Sequence, residues 1–230
     1  MQSRNIPPPP LKLLLAESRF LPELGRFWLS EKSLSTLPKG HEAVLVIPGF
    51  GASDFHTRPL RRALSKLGHT VHGWGLGLNT GMNSRVREKL LQRISQLQQE
   101  HGQPIQLIGW SLGGVFVREL ARQMPDQVAQ VFTLGSPFNI TPAANNMLPL
   151  FKLMNRGKPV KLDMEGFLRR AEPPPVDCTA IYTKTDGIVA WQTACENEAE
   201  NTENLEVRGS HFGLVCNPDV VRIIAERLAR

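Results

Sequence analysis

The sequence has 230 residues, enough for one large domain with a substantial core. Hydrophobic residues make up 41% of the chain and charged residues 21%, and no apolar run approaches the roughly 18 residues of a membrane-spanning helix. The net charge of +6 comes from scattered basic residues without zinc-finger spacing or an RNA-binding aromatic signature, which argues against a nucleic-acid partner. The N-terminal apolar patch, 13–16, is too short for a signal peptide, so we expect a cytoplasmic protein.

Residues 1–40 are predicted to form a helical lead before the main part of the domain. Four prolines at 7–10 precede a helically spaced set of apolar residues, and Pro22 is expected to break that helix. We expect the lead to lie on the apolar flank of its own domain. The alternative is a lid or a contact with a membrane surface, which three basic residues would allow: Lys12, Arg19 and Arg26.

Strand patterns and helix patterns alternate from residue 43 onwards. Strands are predicted at 43–47, 69–74, 105–108, 128–134 and 179–183, and helices at 58–67, 84–100, from 111 to about 125, and 218–230. This alternation predicts a single α/β domain over 1–230, with a mostly parallel central sheet and helices on both faces. Residues 138–175 have no strand pattern and are predicted to form a cap or lid-like excursion, with a packed helical crossover as the alternative.

A serine lies at the junction of a predicted strand and a predicted helix, in the segment Gly109-Trp110-Ser111-Leu112-Gly113. A serine hydroxyl is a weak nucleophile until a base removes its proton, and a sharp turn would hold it exposed. The helix that follows would direct its free N–H groups towards a developing oxyanion. We therefore predict that Ser111 is a catalytic nucleophile.

Candidates for a base and an acid follow the later strands of the predicted sheet. Ligands of such sheets bind beyond the carboxyl ends of the strands. His211 lies in a Gly-Ser-His-Phe-Gly loop before the last helix, and His56 is its main competitor as the base. Asp186 follows the strand at 179–183, and Asp163 and Asp177 are the alternative acids. A base oriented by a carboxylate could activate a serine in this position.

Five segments of the chain together resemble one known family. VLVIPGFGAS, LIGWSLGG, FTLGSPF, YTKTDGIV and GSHFGL resemble the α/β-hydrolases of the lipase and esterase type, especially the compact bacterial ones, and the chain order serine, aspartate, histidine agrees. The resemblance runs from about residue 43 to the end. It implies that Ser111 is the nucleophile, Asp186 the acid and His211 the base, with the backbone N–H groups of Phe50 and Leu112 as the oxyanion hole.

One departure concerns the first oxyanion loop. Many relatives have His-Gly there, whereas this chain has Pro48-Gly49. Because the donor is the backbone N–H of the next residue, the hole itself can survive the change. The hydrogen bonds that support the loop are what the departure leaves open.

The expected activity is hydrolysis of a carboxylic ester, from a small molecule or a lipid, through an acyl-enzyme. Four apolar side chains are predicted to line the substrate pocket: Trp110, Phe138, Leu148 and Phe151. An acyltransferase or thioesterase with the same triad is one alternative, and a non-catalytic hydrolase-like binding protein is another. Neither a metal nor a cofactor is called for, since histidines and cysteines lack ligand spacing. The three cysteines are expected to be free thiols, with a Cys178–Cys195 disulfide as the alternative. The sequence does not specify the oligomeric state.

Overall fold

The computed structural model describes residues 6–139 and 170–230. In this part of the chain, six strands form one sheet in the order β2-β1-β3-β4-β5-β6, and every neighbouring pair is parallel. The strands are β1 (Ala43–Ile47), β2 (Thr70–Gly73), β3 (Ile105–Trp110), β4 (Val128–Leu134), β5 (Asp177–Tyr182) and β6 (Thr202–Glu206). The predicted α/β class with a parallel central sheet is therefore confirmed.

Helices cover both faces of the sheet. They are α1 (Leu11–Ala16), α2 (Phe20–Leu29), α3 (Glu31–Leu34), α4 (Asp54–Lys66), α5 (Ser84–His101), α6 (Leu112–Gln123) and α7 (Pro218–Leu228). Alternate residues of β1 show how the core is divided: Val44 and Val46 pack with α4 and α7, whereas Leu45 and Ile47 pack with α5 and α6. A strand buried on both faces needs apolar residues at every position, which is why β1 forms a continuous apolar run.

The last strand was not predicted from the sequence. β6 has the sequence TENLE, lies at one edge of the sheet and is half-buried to exposed along its length. An edge strand with one solvated side does not need the apolar run of the central strands, so its sequence pattern is weak. β6 pairs with β5, and the loop that carries His211 follows the carboxyl end of β6.

The N-terminal lead packs on its own domain, as predicted, but its helical break lies elsewhere. Phe27 and Leu34 are buried in the core beside α4 and α7. Residues 17–19 form a 3₁₀ turn between α1 and α2, and Pro22 lies in the first turn of α2. Proline is tolerated there because the N–H groups of the first turn have no partner within the helix. Pro22 therefore does not break the helix, which corrects the prediction.

The carboxyl ends of β1 and β3 form the switch point of the sheet. β1 has β2 on one side and β3 on the other, so the chain continues in opposite directions from these neighbouring strands. Parallel α/β sheets bind ligands in the crevice at such a point. The loop after β1 and the turn containing Ser111 meet there. Among the helices that the structure describes, none is both long and apolar enough to cross a membrane.

Candidate active site

Ser111 adopts a strained backbone conformation between β3 and α6. Its φ is 54° and its ψ is −122°, and within residues 6–139 and 170–230 it is the one non-glycine residue with a positive φ. The turn is held by two hydrogen bonds: the Ser111 N–H donates to the Leu134 carbonyl at 2.8 Å, and the Gly114 N–H donates to the Ser111 carbonyl at 3.0 Å. Such strain persists only where the surrounding structure imposes it, and it is typical of functional sites.

Glycines on both sides of Ser111 allow the turn to form. A side chain on Gly109 would overlap the backbone of Gly113 and Gly114, and one on Gly113 would overlap the Ile47 carbonyl at the end of β1. These close contacts explain why both positions are glycine. Their absence of side chains lets the N-terminus of α6 pack directly against the ends of β1 and β3.

Two backbone N–H groups were predicted to form an oxyanion hole. Leu112 is the first residue of α6, where the backbone N–H groups have no partner within the helix. Phe50 follows Gly49, and a Cβ built on Gly49 would lie 3.0 Å from the Ser111 Cβ. The loop after β1 is therefore in contact with the serine turn. The donor roles of Phe50 and Leu112 stay predictions.

Asn79 supports the loop after β1 and was missed by the sequence analysis. Its buried side chain donates from Nδ2 to the Pro48 carbonyl at 2.7 Å. Its backbone accepts from the Gly51 N–H and donates to the Ala52 carbonyl, both at 2.8 Å. These three bonds hold the loop in which the chain has Pro48-Gly49 instead of His-Gly. No sequence signal distinguishes Asn79 from an ordinary turn residue.

His211 and Asp186 form a buried pair at the same edge of the sheet. His211 Nδ1 lies 2.7 Å from Asp186 Oδ2, and the two residues are 2% and 4% exposed. The other carboxylate oxygen, Oδ1, accepts the backbone N–H groups of Ile188 at 2.8 Å and Val189 at 2.7 Å. The aspartate is thus fixed by its own loop and engages the imidazole with its remaining oxygen.

The surroundings of His211 shift its pKa upward from the ordinary value of 6.5. Burial is the largest single effect and lowers the pKa of the imidazole, because it disfavours the charged form. The adjacent Asp186 carboxylate raises it by its charge and by its hydrogen bond, and the Glu17 carboxylate raises it further. The negative charges outweigh the burial. This environment favours the imidazolium, which a general base becomes when it accepts a proton.

Trp110 directly contacts the loop that carries His211. Its indole Nε1–H donates to the His211 carbonyl at 3.1 Å, and the two rings have centroids 5.8 Å apart. The side chain is 4% exposed and belongs to the core. Trp110 thus contacts His211, which the sequence did not predict, while its contact with substrate stays a prediction.

The serine turn and the His–Asp pair meet at the end of β4. Gly135 follows Leu134, whose carbonyl accepts the Ser111 N–H, and a Cβ on Gly135 would lie 3.1 Å from both Asp186 Oδ2 and His211 Nδ1. In the described residues, no hydrogen bond joins the Ser111 hydroxyl to the imidazole. Hydrogen bonds of catalytic groups are often long without substrate and tighten when it binds.

The competing candidates lie elsewhere or have other roles. The exposed His56 accepts the Ser53 N–H at 3.1 Å with its Nδ1 and so caps α4. Asp177 begins β5 and therefore lies at the opposite edge of the sheet. Asp163 lies outside the described residues. Of the groups compared from the sequence, His211 and Asp186 are the ones the structure brings together.

Most of the predicted substrate pocket falls on the excursion at 138–175. Leu148 and Phe151 lie outside the described residues. Phe138 is 1% exposed, with the guanidinium of Arg118 stacked 3.8 Å from the centre of its ring. This arrangement gives Phe138 a packing role, and its contact with substrate stays a prediction.

A buried ion pair lies beneath Phe138. Arg118, on α6, pairs with Glu196, and both side chains are almost completely buried. Arg118 also donates to the carbonyls of Arg170 and Glu172, at 2.9 Å each. Arg118 therefore connects the helix after Ser111 to both ends of the excursion.

The described residues contain no cluster of three or more His, Cys, Asp or Glu side chains that could hold a metal ion. All three cysteines are free thiols, as predicted, and the alternative Cys178–Cys195 disulfide is not formed. Burial raises the pKa of Cys178 to about 11 and that of Cys216 to about 12, so both stay protonated at neutral pH.

Comparison with solved structures identifies the fold. The chain is similar to a monoacylglycerol lipase from Paleococcus ferrophilus, with a TM-score of 0.57 and 18% identity over 83% of this chain and 96% of that one. It is also similar to a thioesterase domain from the curacin biosynthetic pathway (TM-score 0.55, 16% identity, 84% of this chain and 93% of that one). A lipase-esterase related protein from Clostridium acetobutylicum gives a TM-score of 0.57 and 17% identity over 84% and 97% of the two chains. No family model and no curated protein matches the sequence.

The chain is thus a protein of the α/β-hydrolase fold. The resemblance found in the sequence is confirmed at this level, because the parallel sheet and its structural neighbours agree. At 16–18% identity these likenesses carry the fold alone.

Proposed function

We propose that this protein is a serine hydrolase that cleaves carboxylic esters. The observation that carries the proposal is the buried His211–Asp186 pair, which lies at the same sheet edge as a serine held in a strained turn. The imidazole presents Nδ1 to the carboxylate, which leaves Nε2 to accept a proton. A buried His–Asp pair beside a serine at a strand-to-helix junction has the parts that nucleophilic acyl transfer requires.

The proposed reaction has two stages. In the first, Ser111 attacks the ester carbonyl while His211 takes its proton, and the N–H groups of Phe50 and Leu112 donate to the oxyanion. The intermediate collapses when His211 protonates the leaving alcohol, and the acyl group remains on Ser111. In the second stage, water attacks the acyl-enzyme with His211 again as the base, which releases the acid and restores the serine.

An acyltransferase or thioesterase is the second candidate. The likeness to a thioesterase domain supports this second candidate, because the same serine, histidine and aspartate could cleave a thioester. The two candidates differ in leaving group and acceptor rather than in nucleophile. Comparing the hydrolysis of oxygen esters and thioesters of one acyl chain, with and without an alcohol as acceptor, separates them.

Labelling by a fluorophosphonate tests the nucleophile. We expect the probe to label the wild-type protein and the exposed-serine control Ser65→Ala, but not Ser111→Ala. Hydrolysis of p-nitrophenyl esters from acetyl to palmitoyl then reports the acyl preference. Esterase turnover that survives in Ser111→Ala would exclude the proposed mechanism. A wild-type protein that is neither labelled nor active towards esters would favour a non-catalytic binding protein.

Contact with a lipid surface is a further part of the proposal. Large apolar side chains of α1 and α2 are exposed, with Leu15 at 70% and Leu29 at 87%, and basic residues lie beside them on the same helices. Such a surface favours an anionic membrane and a lipid ester as substrate. Sedimentation with vesicles of phosphatidylglycerol should deplete the wild-type protein more than Leu15→Ser/Leu29→Ser. Equal depletion would remove this part of the proposal.

A further inference from the structure

Glu17 joins the two loops that carry the base and the acid. Its carboxylate is almost fully buried although it belongs to the N-terminal lead. Oε1 accepts the Gly187 N–H at 2.8 Å and the His211 N–H at 3.0 Å, and Oε2 accepts the Phe212 N–H at 3.2 Å. The residue thus bonds to the neighbour of Asp186 and to His211 itself.

Two more charged side chains of the same segment reach the same loops. Arg19 donates to the carbonyls of Thr185 at 2.5 Å and Gly209 at 3.0 Å. Glu23 accepts the Ser210 N–H at 3.0 Å and also the Ser210 hydroxyl. Together with Glu17, these side chains bind the two loops on either side of Asp186 and His211. A segment that served only to cover an apolar flank would not need a buried carboxylate and two half-buried charges bonded to the loops that carry Asp186 and His211.

The segment also lies against the acid loop through its backbone. A side chain on Gly187 would overlap the carbonyl of Leu13, and Leu14 packs against Ile188 and Val189. These last two residues donate the N–H groups that fix Asp186. Contact with the acid loop therefore continues along α1, beyond the carboxylate of Glu17.

Charge gives Glu17 a second influence on His211. The acidic groups that face the imidazole are Asp186, from the loop after β5, and Glu17, from the lead. Its other ring contacts are with Trp110 and Phe212, which carry no charge. A carboxylate at this position stabilises the imidazolium.

We propose that Glu17 is a positioning residue that fixes His211 and Asp186 relative to each other and electrostatically stabilises the protonated base. This inference rests on the proposed function. It assigns part of the active-site machinery to the N-terminal lead, some 170 residues before the acid in the sequence.

Two substitutions separate geometry from charge. In Glu17→Gln the amide oxygen can still accept the Gly187 and His211 N–H groups, whereas the negative charge and the bond from the Phe212 N–H are lost. Glu17→Ala loses both the hydrogen bonds and the charge. Glu31→Gln is the matched control, because Glu31 lies on the same lead but forms an exposed ion pair with Lys66.

The measurements are kcat/KM against pH and the rate of fluorophosphonate labelling. We expect the acid limb of the profile to move to lower pH in both Glu17 variants, because the imidazolium loses a stabilising charge. We expect kcat to fall about 10- to 100-fold in Glu17→Ala, as misplacement of a catalytic group by about 1 Å costs, and less in Glu17→Gln. Glu31→Gln should match the wild type. A role in folding alone would reduce the folded fraction without moving the pH limb.

The outcomes distinguish the inference from the proposed function. An unmoved acid limb and a wild-type kcat in folded Glu17→Gln would overturn the inference while leaving the hydrolase intact. If the wild-type protein proves inert towards esters and the probe, NMR titration of the His211 imidazole still decides. A lower pKa in Glu17→Gln then upholds the electrostatic role, and an unchanged one overturns it.

Discussion

Replacing Asp186 by Asn tests how His211, the proposed base, is oriented. In the wild type, Oδ1 accepts two backbone N–H groups, from Ile188 and Val189, and Oδ2 faces His211 Nδ1. The asparagine can place only one oxygen. Turning the NH₂ group towards the loop would forfeit two hydrogen bonds, at about 1 kcal/mol each, whereas turning it towards the histidine forfeits one. The oxygen is therefore expected to stay on the loop.

The consequence is the wrong imidazole tautomer. An NH₂ group facing Nδ1 requires that nitrogen to be an acceptor, which places the proton on Nε2 and prevents it from taking the serine proton. A wrong tautomer costs about 10⁴-fold in kcat, equivalent to about 5.5 kcal/mol of barrier. The assay is steady-state hydrolysis of a p-nitrophenyl ester, with the exposed Asp219→Asn as the control. An Asp186→Asn variant that kept a tenth of the wild-type kcat would refute this reasoning.

The remaining predictions concern pH, the buried ion pair and the glycine contact behind Ser111. Because the pKa of His211 is raised above 6.5, kcat/KM should rise with pH through a value above 6.5, which a pH profile of activity checks. The stability that the His211–Asp186 pair contributes should be complete below pH 6.5 and lost as pH rises through the folded-state pKa. Urea unfolding at several pH values checks this second expectation. Arg118→Met leaves the buried Glu196 charge unpaired and should lower the free energy of unfolding by about 3–5 kcal/mol, which lowers Tm by about 6–20 °C. The double variant Arg118→Met/Glu196→Leu should recover most of this loss. Additive losses of the two substitutions in thermal unfolding would contradict the prediction. Gly113→Ala should push α6 away from β1 and lower both Tm and kcat. The control is Gly25→Ala, because a Cβ there meets nothing within 4 Å; it should leave kcat unchanged and raise Tm slightly.

The central sheet and the loops that carry Asp186 and His211 could be predicted because their signals are local. A strand buried on both faces reads as a continuous apolar run, as β1 does, and the glycines around Ser111 mark a turn that only small residues permit. Asp186 and His211 each follow a predicted strand or precede a predicted helix. Parallel topology then places such loops at one edge of the sheet.

The supports of the site could not be predicted, because their partners are distant in sequence. Glu17 looks like one acidic residue in an amphipathic helix, and its burial depends on loops about 170 and 194 residues away. Asn79 has the composition of a turn residue, and only the folded chain shows its bond to Pro48. The polar edge strand β6 lacks an apolar pattern for the related reason that its environment is set by its neighbour.

The indole of Trp110 has a mechanical consequence for the neighbouring serine. Ser111, the proposed nucleophile, directly follows Trp110, whose indole donates to the backbone carbonyl of His211, the proposed base. A shift of the end of β3 is therefore expected to move Ser111 and His211 together. The distance between the Ser111 hydroxyl and the His211 imidazole should then change little when the sheet moves. In laboratory evolution of this protein, exchanging Trp110 for another large apolar residue would preserve the packing but uncouple the two groups.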